Sequence, residues 1–233
     1  MLTAAAEVRD LRVERIDTAD IPSGGQLHLM QRGEDFAIEY GETQLMVSWA
    51  NRSEQALATL ACQRVAMDGG HMLIGGLGMG FTLGAALAVL PASASVVVAE
   101  LVPKVVEWAK GPLAHMFGAA LDDPRVTVEI GDVHDMIAGA SEHYDAILLD
   151  VDNGPDGLIS LANDRLYCNW GLRSAYAALR PGGVLAIWSG YPQHDFADRL
   201  ENVGFIVEEV IMRTGERGQG ARHVIWLGTR ERQ

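Results

Sequence analysis

Leu73-Ile74-Gly75-Gly76-Leu77-Gly78-Met79-Gly80 is the stretch on which the fold turns. An apolar run of strand length enters a glycine-rich loop, and helical spacing resumes beyond it. Glycine lets the backbone turn sharply and come close to a ligand, while the first turn of a helix offers unpaired N–H groups to polar or anionic atoms. Alone, such a loop serves equally as a tight strand-to-helix turn, so its meaning rests on the residues downstream of it. The spacing Gly76-x-Gly78-x-Gly80, with the next glycine at Gly84, departs from the Gly-x-Gly-x-x-Gly of dinucleotide folds and argues against a NAD-dependent dehydrogenase.

Beyond the loop, apolar runs alternate with helical segments, the pattern of βαβ units and a parallel sheet. Strands are predicted over 71–74, 96–99, 126–130, 146–149, 184–188, 205–211 and 223–227. The segment MRTGERGQGAR between the last two is too short for a crossover helix, so they should pair as an antiparallel hairpin. The expected fold is therefore α/β, a Rossmann-like, methyltransferase-type seven-stranded sheet with a reversed last strand. Upstream, residues 26–49 alternate short apolar runs with turn-prone stretches and predict two or three tightly joined antiparallel strands. From Ser53, a plausible N-cap, apolar residues recur at helical spacing as far as Met67. These features divide the chain into a small N-terminal β appendage, 1–52, and a nucleoside-binding domain, 53–233.

The strand ends give the glycine loop its context. The second strand closes on Glu100, about twenty residues past the loop, where an acid can accept hydrogen bonds from both ribose hydroxyls. The third ends in Gly131-Asp132-Val133, with Asp132 placed to accept from an adenine amino group and Val133 to pack on the base. The fourth ends in Asp150. Open α/β sheets bind ligands at this edge, and together these groups point to a mononucleoside pocket.

Composition narrows the chemistry. Over 233 residues the net charge is −13, which repels phosphate backbones and disfavours a nucleic-acid partner. Cys62 and Cys168 are too few for a disulfide framework or a zinc site, and both are expected to be buried thiols. The uncharged run 72–99 is long enough to span a bilayer, but its glycines and Pro91 divide it into strand, loop, helix, turn and strand. With no basic-then-apolar leader at the start, a cytoplasmic protein without a membrane partner is expected. The seven histidines do not pair at metal spacing, and no metal is expected; Asp150, Asp152 and Asn153 could together hold Mg²⁺, but no further ligand at a recognisable spacing completes that site.

Over roughly residues 41–189 the chain resembles the spermidine synthases, aminopropyltransferases of the class I methyltransferase fold. IGGLGMG is similar to that family's IGGGDGG, AELVPKVVEWAK to its second strand and following helix, DDPRVTVEIGD to its DPRV-to-GD segment, and YDAILLDVDNGPDG to its strand-four loop. Gly41-Glu42-Thr43-Gln44 resembles its Asp-Gly-x-x-Gln, which implies that Gln44 touches the nucleoside. The resemblance implies a donor of the S-adenosylmethionine type, or its decarboxylated form, held by Gln44, Gly75, Gly76, Gly78, Gly80, Glu100, Asp132, Val133 and Asp150.

Departures separate the possible activities. Gly78 stands where the family has an acid that pairs with the amine of the decarboxylated donor, and the loss of that acid removes a barrier to ordinary S-adenosylmethionine. Ser53-Glu54-Gln55 replaces the family's Tyr-His-Glu or Tyr-Gln-Glu, and Asn153 replaces the second acid of its strand-four loop, although Asp152 could substitute. On these grounds methyl transfer to a small polar acceptor leads, aminopropyl transfer to a diamine is second, and a non-catalytic nucleoside-binding relative is third. Asp150 is the candidate for orienting and deprotonating the acceptor. Asp152, Asn153, Trp188 and Tyr191 are weaker substrate-binding candidates, and a homodimer is kept as an expectation.

Overall fold

A computed structural model describes residues 12–151, 154–155, 163–193, 195–213 and 220–232. Its N-terminal part is a four-stranded antiparallel sheet of β1 (Glu14–Asp20), β2 (Gln26–Arg32), β3 (Asp35–Tyr40) and β4 (Thr43–Val47), in that order. Three of these lie in the segment expected to form strands; β1 does not. Its sequence ERIDTAD alternates too weakly to read as a strand, and it is held by pairing with β2 and by the Trp108 indole N–H, which donates to Asp17 Oδ2 at 2.9 Å.

Helix α1 (Arg52–Cys62) leads into the main sheet. It starts from Asn51, which makes no side-chain cap, so Ser53 is not the N-cap; its hydroxyl is engaged elsewhere. The helix also stops short of Met67, because the Arg64 N–H donates to Ala61 O in a tightened last turn and the Arg64 guanidinium takes the Leu60 carbonyl at 2.7 Å.

The main sheet comprises β5 (His71–Gly75), β6 (Ser95–Glu100), β7 (Val126–Ile130), β8 (Tyr144–Leu149), β9 (Leu179–Ser189), β10 (Ile206–Arg213) and β11 (Arg222–Thr229). Between them lie α2 (Phe81–Val89), α3 (Pro103–Lys110), α4 (Ala114–Phe117), α5 (Val133–Ala138), α6 (Asp164–Tyr167), α7 (Asn169–Ala178) and α8 (Phe196–Val203). The strand order is β10-β11-β9-β8-β5-β6-β7, with β5 to β9 parallel and β11 antiparallel to both of its neighbours. This is the expected seven-stranded sheet with a reversed last strand.

Each face of the sheet carries its own core. On one, Ile74, Val98 and Ala186 pack with Leu57 of α1 and with Leu29, Phe36 and Ile38 of the N-terminal sheet, so the appendage and the main domain share apolar packing. On the other, Leu73, Ile147 and Ile187 pack with Leu172, Phe196 and Trp226. Both cysteines are half-buried rather than buried, and desolvation pushes the Cys62 thiol up to about 11. Among the described residues no helix is long and apolar enough to cross a membrane; the uncharged run is divided into β5, α2 and β6.

Candidate functional site

The sheet reverses its winding between β5 and β8: from β5 the chain moves outward to β6 and β7, then returns to the other side for β8 and β9. Loops leaving the carboxyl ends of β5 and β8 diverge there and leave a crevice. A cleft of about 1060 Å³ occupies it, lined by Gly76 and Gly78, by Glu100, Asp132, Val133 and Asp150 from successive strand ends, and by Leu45 and Met46 of β4.

The glycines divide by role. Gly76 (φ +89°) and Gly78 (φ +49°) face the cleft in the left-handed region. Gly75 and Gly80 are buried behind them, where a Cβ on Gly75 would meet the Val133 methyls at 3.0 Å and one on Gly80 would meet the Phe117 ring. The expected site residues Gly75 and Gly80 therefore do not line the cleft; they serve packing and the entry into α2. Gly78 is shielded by Met46, whose Sδ accepts from the Met79 N–H at 3.1 Å and whose Cε would lie 2.6 Å from a Gly78 Cβ. The position of the missing acid is thus filled by an apolar side chain from the N-terminal sheet.

Glu100 is buried at the cleft wall, with Oε2 accepting from the Leu77 N–H at 2.9 Å and Oε1 from the Val102 N–H at 2.8 Å. Desolvation raises its pKa while these backbone donors oppose the rise. A carboxylate offers about four lone-pair sites, so capacity for ligand hydroxyls remains. Asp132 is more heavily used than expected: Oδ1 caps α5 by accepting from the His134 N–H at 2.8 Å, and Oδ2 pairs with Arg165. Asp132 lines the cleft, but its first task is structural.

The residue that sequence reasoning passes over is Glu54. In the sequence it stands only as part of an altered tripeptide, yet in the first turn of α1 it is 5% exposed and lines the cleft with Asp150. The Thr82 hydroxyl donates to Asp150 Oδ2 at 2.6 Å and lies 3.2 Å from the backbone carbonyl of Glu54, which holds the first turn of α1 beside the end of β8. Asp150 is pushed up to about 7, by burial first and the nearby Glu54 charge second; burial raises Glu54 also. Burial and mutual repulsion both work against ionising the two carboxyls together at neutral pH. The available signal is an acid displaced by one place within the tripeptide.

A second cavity, of about 790 Å³, meets the first at Glu54, Met46 and Trp188. Tyr191, Ala221 and His223 lie on it. Gln44 also lines this cavity rather than the main cleft; it is exposed and donates to Glu39 at 3.5 Å. Gln44 therefore stands beside the main cleft, in the cavity that adjoins it. Trp188 is 5% exposed and walls both cavities, and Tyr191 is 56% exposed at the second. Asp152 and Asn153 lie outside the described residues, and so does the Mg²⁺ site that would need them.

A switch-point cleft with a glycine loop on one side and strand-end acids on the other defines the class: a Rossmann-like α/β protein with its ligand crevice at the sheet edge. The chain belongs to the spermine/spermidine synthase domain family, whose model matches residues 68–199. A polyamine aminopropyltransferase of Mycobacterium tuberculosis is 33% identical over 105 residues, 44% of this chain and 19% of that protein. One from Nitrosomonas europaea is 33% identical over 92 residues, 40% of this chain and 27% of that protein. The matched segments thus span about a fifth to a quarter of these relatives' length. In fold the chain is similar to a spermidine synthase crystallised with the transition-state analogue AdoDATO, with a TM-score of 0.77 at 18% identity over 96% of this chain and 76% of that one. It is also similar to the Thermotoga maritima spermidine synthase, with a TM-score of 0.75 at 16% identity over 96% and 75%.

Proposed function

We propose that this chain is an aminopropyltransferase, moving the aminopropyl group of a decarboxylated S-adenosylmethionine-type donor to an amine. The observation that carries this is the pair of buried acids in the main cleft, Asp150 and Glu54, with Glu54 at the junction of the two cavities. The methyl-transfer reading rests on the missing acid at Gly78, but that argument weakens once Glu54 is placed. An intact donor would bring its own carboxylate towards two acids, whereas the decarboxylated donor brings only an ammonium, so selection against the carboxylate can come from α1. Family membership and the named relatives favour the same choice.

In this reading the donor's adenosyl part lies along Gly76, Glu100 and Val133, and the acceptor enters by the second cavity. The acceptor nitrogen attacks the carbon bound to the sulfonium, the C–S bond breaks with its electron pair going to sulfur, and the nitrogen's proton passes to Asp150. The chain's part is to align the two partners and take that proton.

Calorimetry with both donors tests the proposal. The decarboxylated form is expected to bind at least about tenfold more tightly, or 1.4 kcal/mol, and to yield an aminopropylated amine by mass spectrometry. Tighter binding of intact S-adenosylmethionine with a methylated product would overturn it. The donor half has its own check in Glu100→Gln. This replaces a carboxylate oxygen facing a backbone N–H with an amide NH₂, and loss of charge-assisted bonds worth about 1.5–3 kcal/mol should weaken adenosyl-ligand binding roughly tenfold to a hundredfold.

A further inference from the structure

We infer that Ser53 and His223 form a proton-transfer path from the buried Glu54–Asp150 pair to the second cavity, an inference that rests on the amine-transfer reading above. The serine hydroxyl sits between an acid and an imidazole, with Oγ 2.6 Å from Glu54 Oε2 and 2.8 Å from His223 Nδ1. Ser53 is 2% exposed, whereas His223, on β11, lines the second cavity with its ring 4.8 Å from that of Trp188. Helix α1 and strand β11 are far apart in sequence, so this three-residue line is a product of the fold.

A hydroxyl can donate one hydrogen bond while accepting others, which gives the line two self-consistent states. With Glu54 ionised, Ser53 donates to the carboxylate and the His223 Nδ1–H donates to Ser53. With Glu54 protonated, its O–H donates to Ser53, and Ser53 donates to a bare Nδ1. Passing from the second state to the first moves each proton one place along the line and leaves the proton on the imidazole, without moving a heavy atom far. The imidazole then releases a proton from its other nitrogen to water or buffer.

Transfer to an amine creates the need for such a path. Each turnover delivers a proton to Asp150 and the neighbouring Glu54 carboxyl takes it over, while donor and acceptor together fill the cleft through which water would otherwise remove it. Burial lowers the affinity of His223 for a proton, so the ring passes a proton on instead of storing it. Among the described residues, Ser53 links the ring to the Glu54 carboxyl of α1, and the Glu54 charge in turn acts on Asp150 at the end of β8.

The test compares Ser53→Ala and His223→Ala with wild type for turnover, KM, melting temperature and recovery of activity with added imidazole. The expected result is a fall in kcat of tenfold or more in both, donor KM within about twofold of wild type, and recovery by imidazole of His223→Ala but not of Ser53→Ala. If either variant keeps kcat within twofold, or if imidazole leaves His223→Ala unrestored while its melting temperature has dropped, the contacts merely fasten α1 to β11 and the path is wrong. A wild-type chain that transfers nothing from either donor sinks the amine-transfer reading instead. The line is then read by proton NMR titration of His223: Glu54→Gln should shift its midpoint in wild type and fail to do so in the Ser53→Ala background. An equal shift in both backgrounds would overturn the connection through Ser53.

Discussion

Asp150→Asn is expected to lower turnover by about a thousandfold while leaving the affinity for an adenosyl donor within a few-fold of wild type. The substitution keeps the shape of the side chain and an oxygen that can accept from the Thr82 hydroxyl, now at 2.6 Å. What it removes is the ability to take a proton. A positioned base contributes about 10²–10⁴ to rate, and Glu54, tied to the same junction, recovers part of the loss, so the expectation sits mid-range. Steady-state kinetics with saturating donor measure it. A variant with undiminished turnover would mean that the acceptor's proton goes elsewhere, and undiminished binding with no turnover in wild type would support the non-catalytic relative.

The same variant is expected to be more stable than the wild-type apo-protein, and the sign comes from the direction of the shift. Asp150 is raised to about 7 from an ordinary 3.8, so the folded state holds a proton that the unfolded chain gives up at lower pH. Stability from this group is fully present below about pH 4 and is lost as pH rises through about 7. At about 1.4 kcal/mol per unit, the loss is on the order of 4 kcal/mol at most, reduced by water that the open cleft admits. Asn carries no charge, so Asp150→Asn should melt higher than wild type at pH 8 and close to it at pH 4. A gain independent of pH would disconnect it from this carboxyl. Function and stability oppose each other here because the pair that would take a proton from an amine is costly to keep ionised when no cation is present.

How much of this is legible in sequence depends on whether a residue acts locally or through distant partners. The central strands announce themselves because β5, β6, β8 and β9 are buried and read as apolar runs. The glycine loop and Glu100 stand out from strand-end position alone. β1 escapes notice because its stability comes from the β2 ladder and from Trp108, not from its own pattern. Ser53 satisfies the local rule for an N-cap, but its hydroxyl is taken by a histidine 170 residues away. Gln44 and Leu45 differ by one place on β4 and both line the second cavity, but only Leu45 also reaches the main cleft, a distinction that depends on how the N-terminal sheet sits over the glycine loop. Glu54 looks in sequence like a displaced fragment of a lost motif; its meaning emerges only with Asp150 beside it.

Gly76→Ala is expected to cost about 2–5 kcal/mol of stability and to abolish donor binding. Two separable effects add. At φ +89° the residue lies in the left-handed region, where an L side chain costs about 1–2 kcal/mol. A Cβ there would also collide with the Asp150 carbonyl, a backbone atom that cannot rotate aside, and overpacking of this kind costs about 1–3 kcal/mol. Relief requires the end of β8 to move, and with it the carboxyl on which the proposed transfer depends. Gly84→Ala is the control: it lies in α2 at ordinary φ with open space around its Cβ position, so helix propensity should stabilise it by about 0.5–1 kcal/mol without changing ligand affinity. Thermal melts and adenosyl-ligand calorimetry on the pair separate a demand for close backbone approach at Gly76 from a general intolerance of side chains near the loop. If Gly76→Ala melts and binds like wild type, the loop is not pressed against Asp150 as described, and the cleft it shapes must be drawn differently.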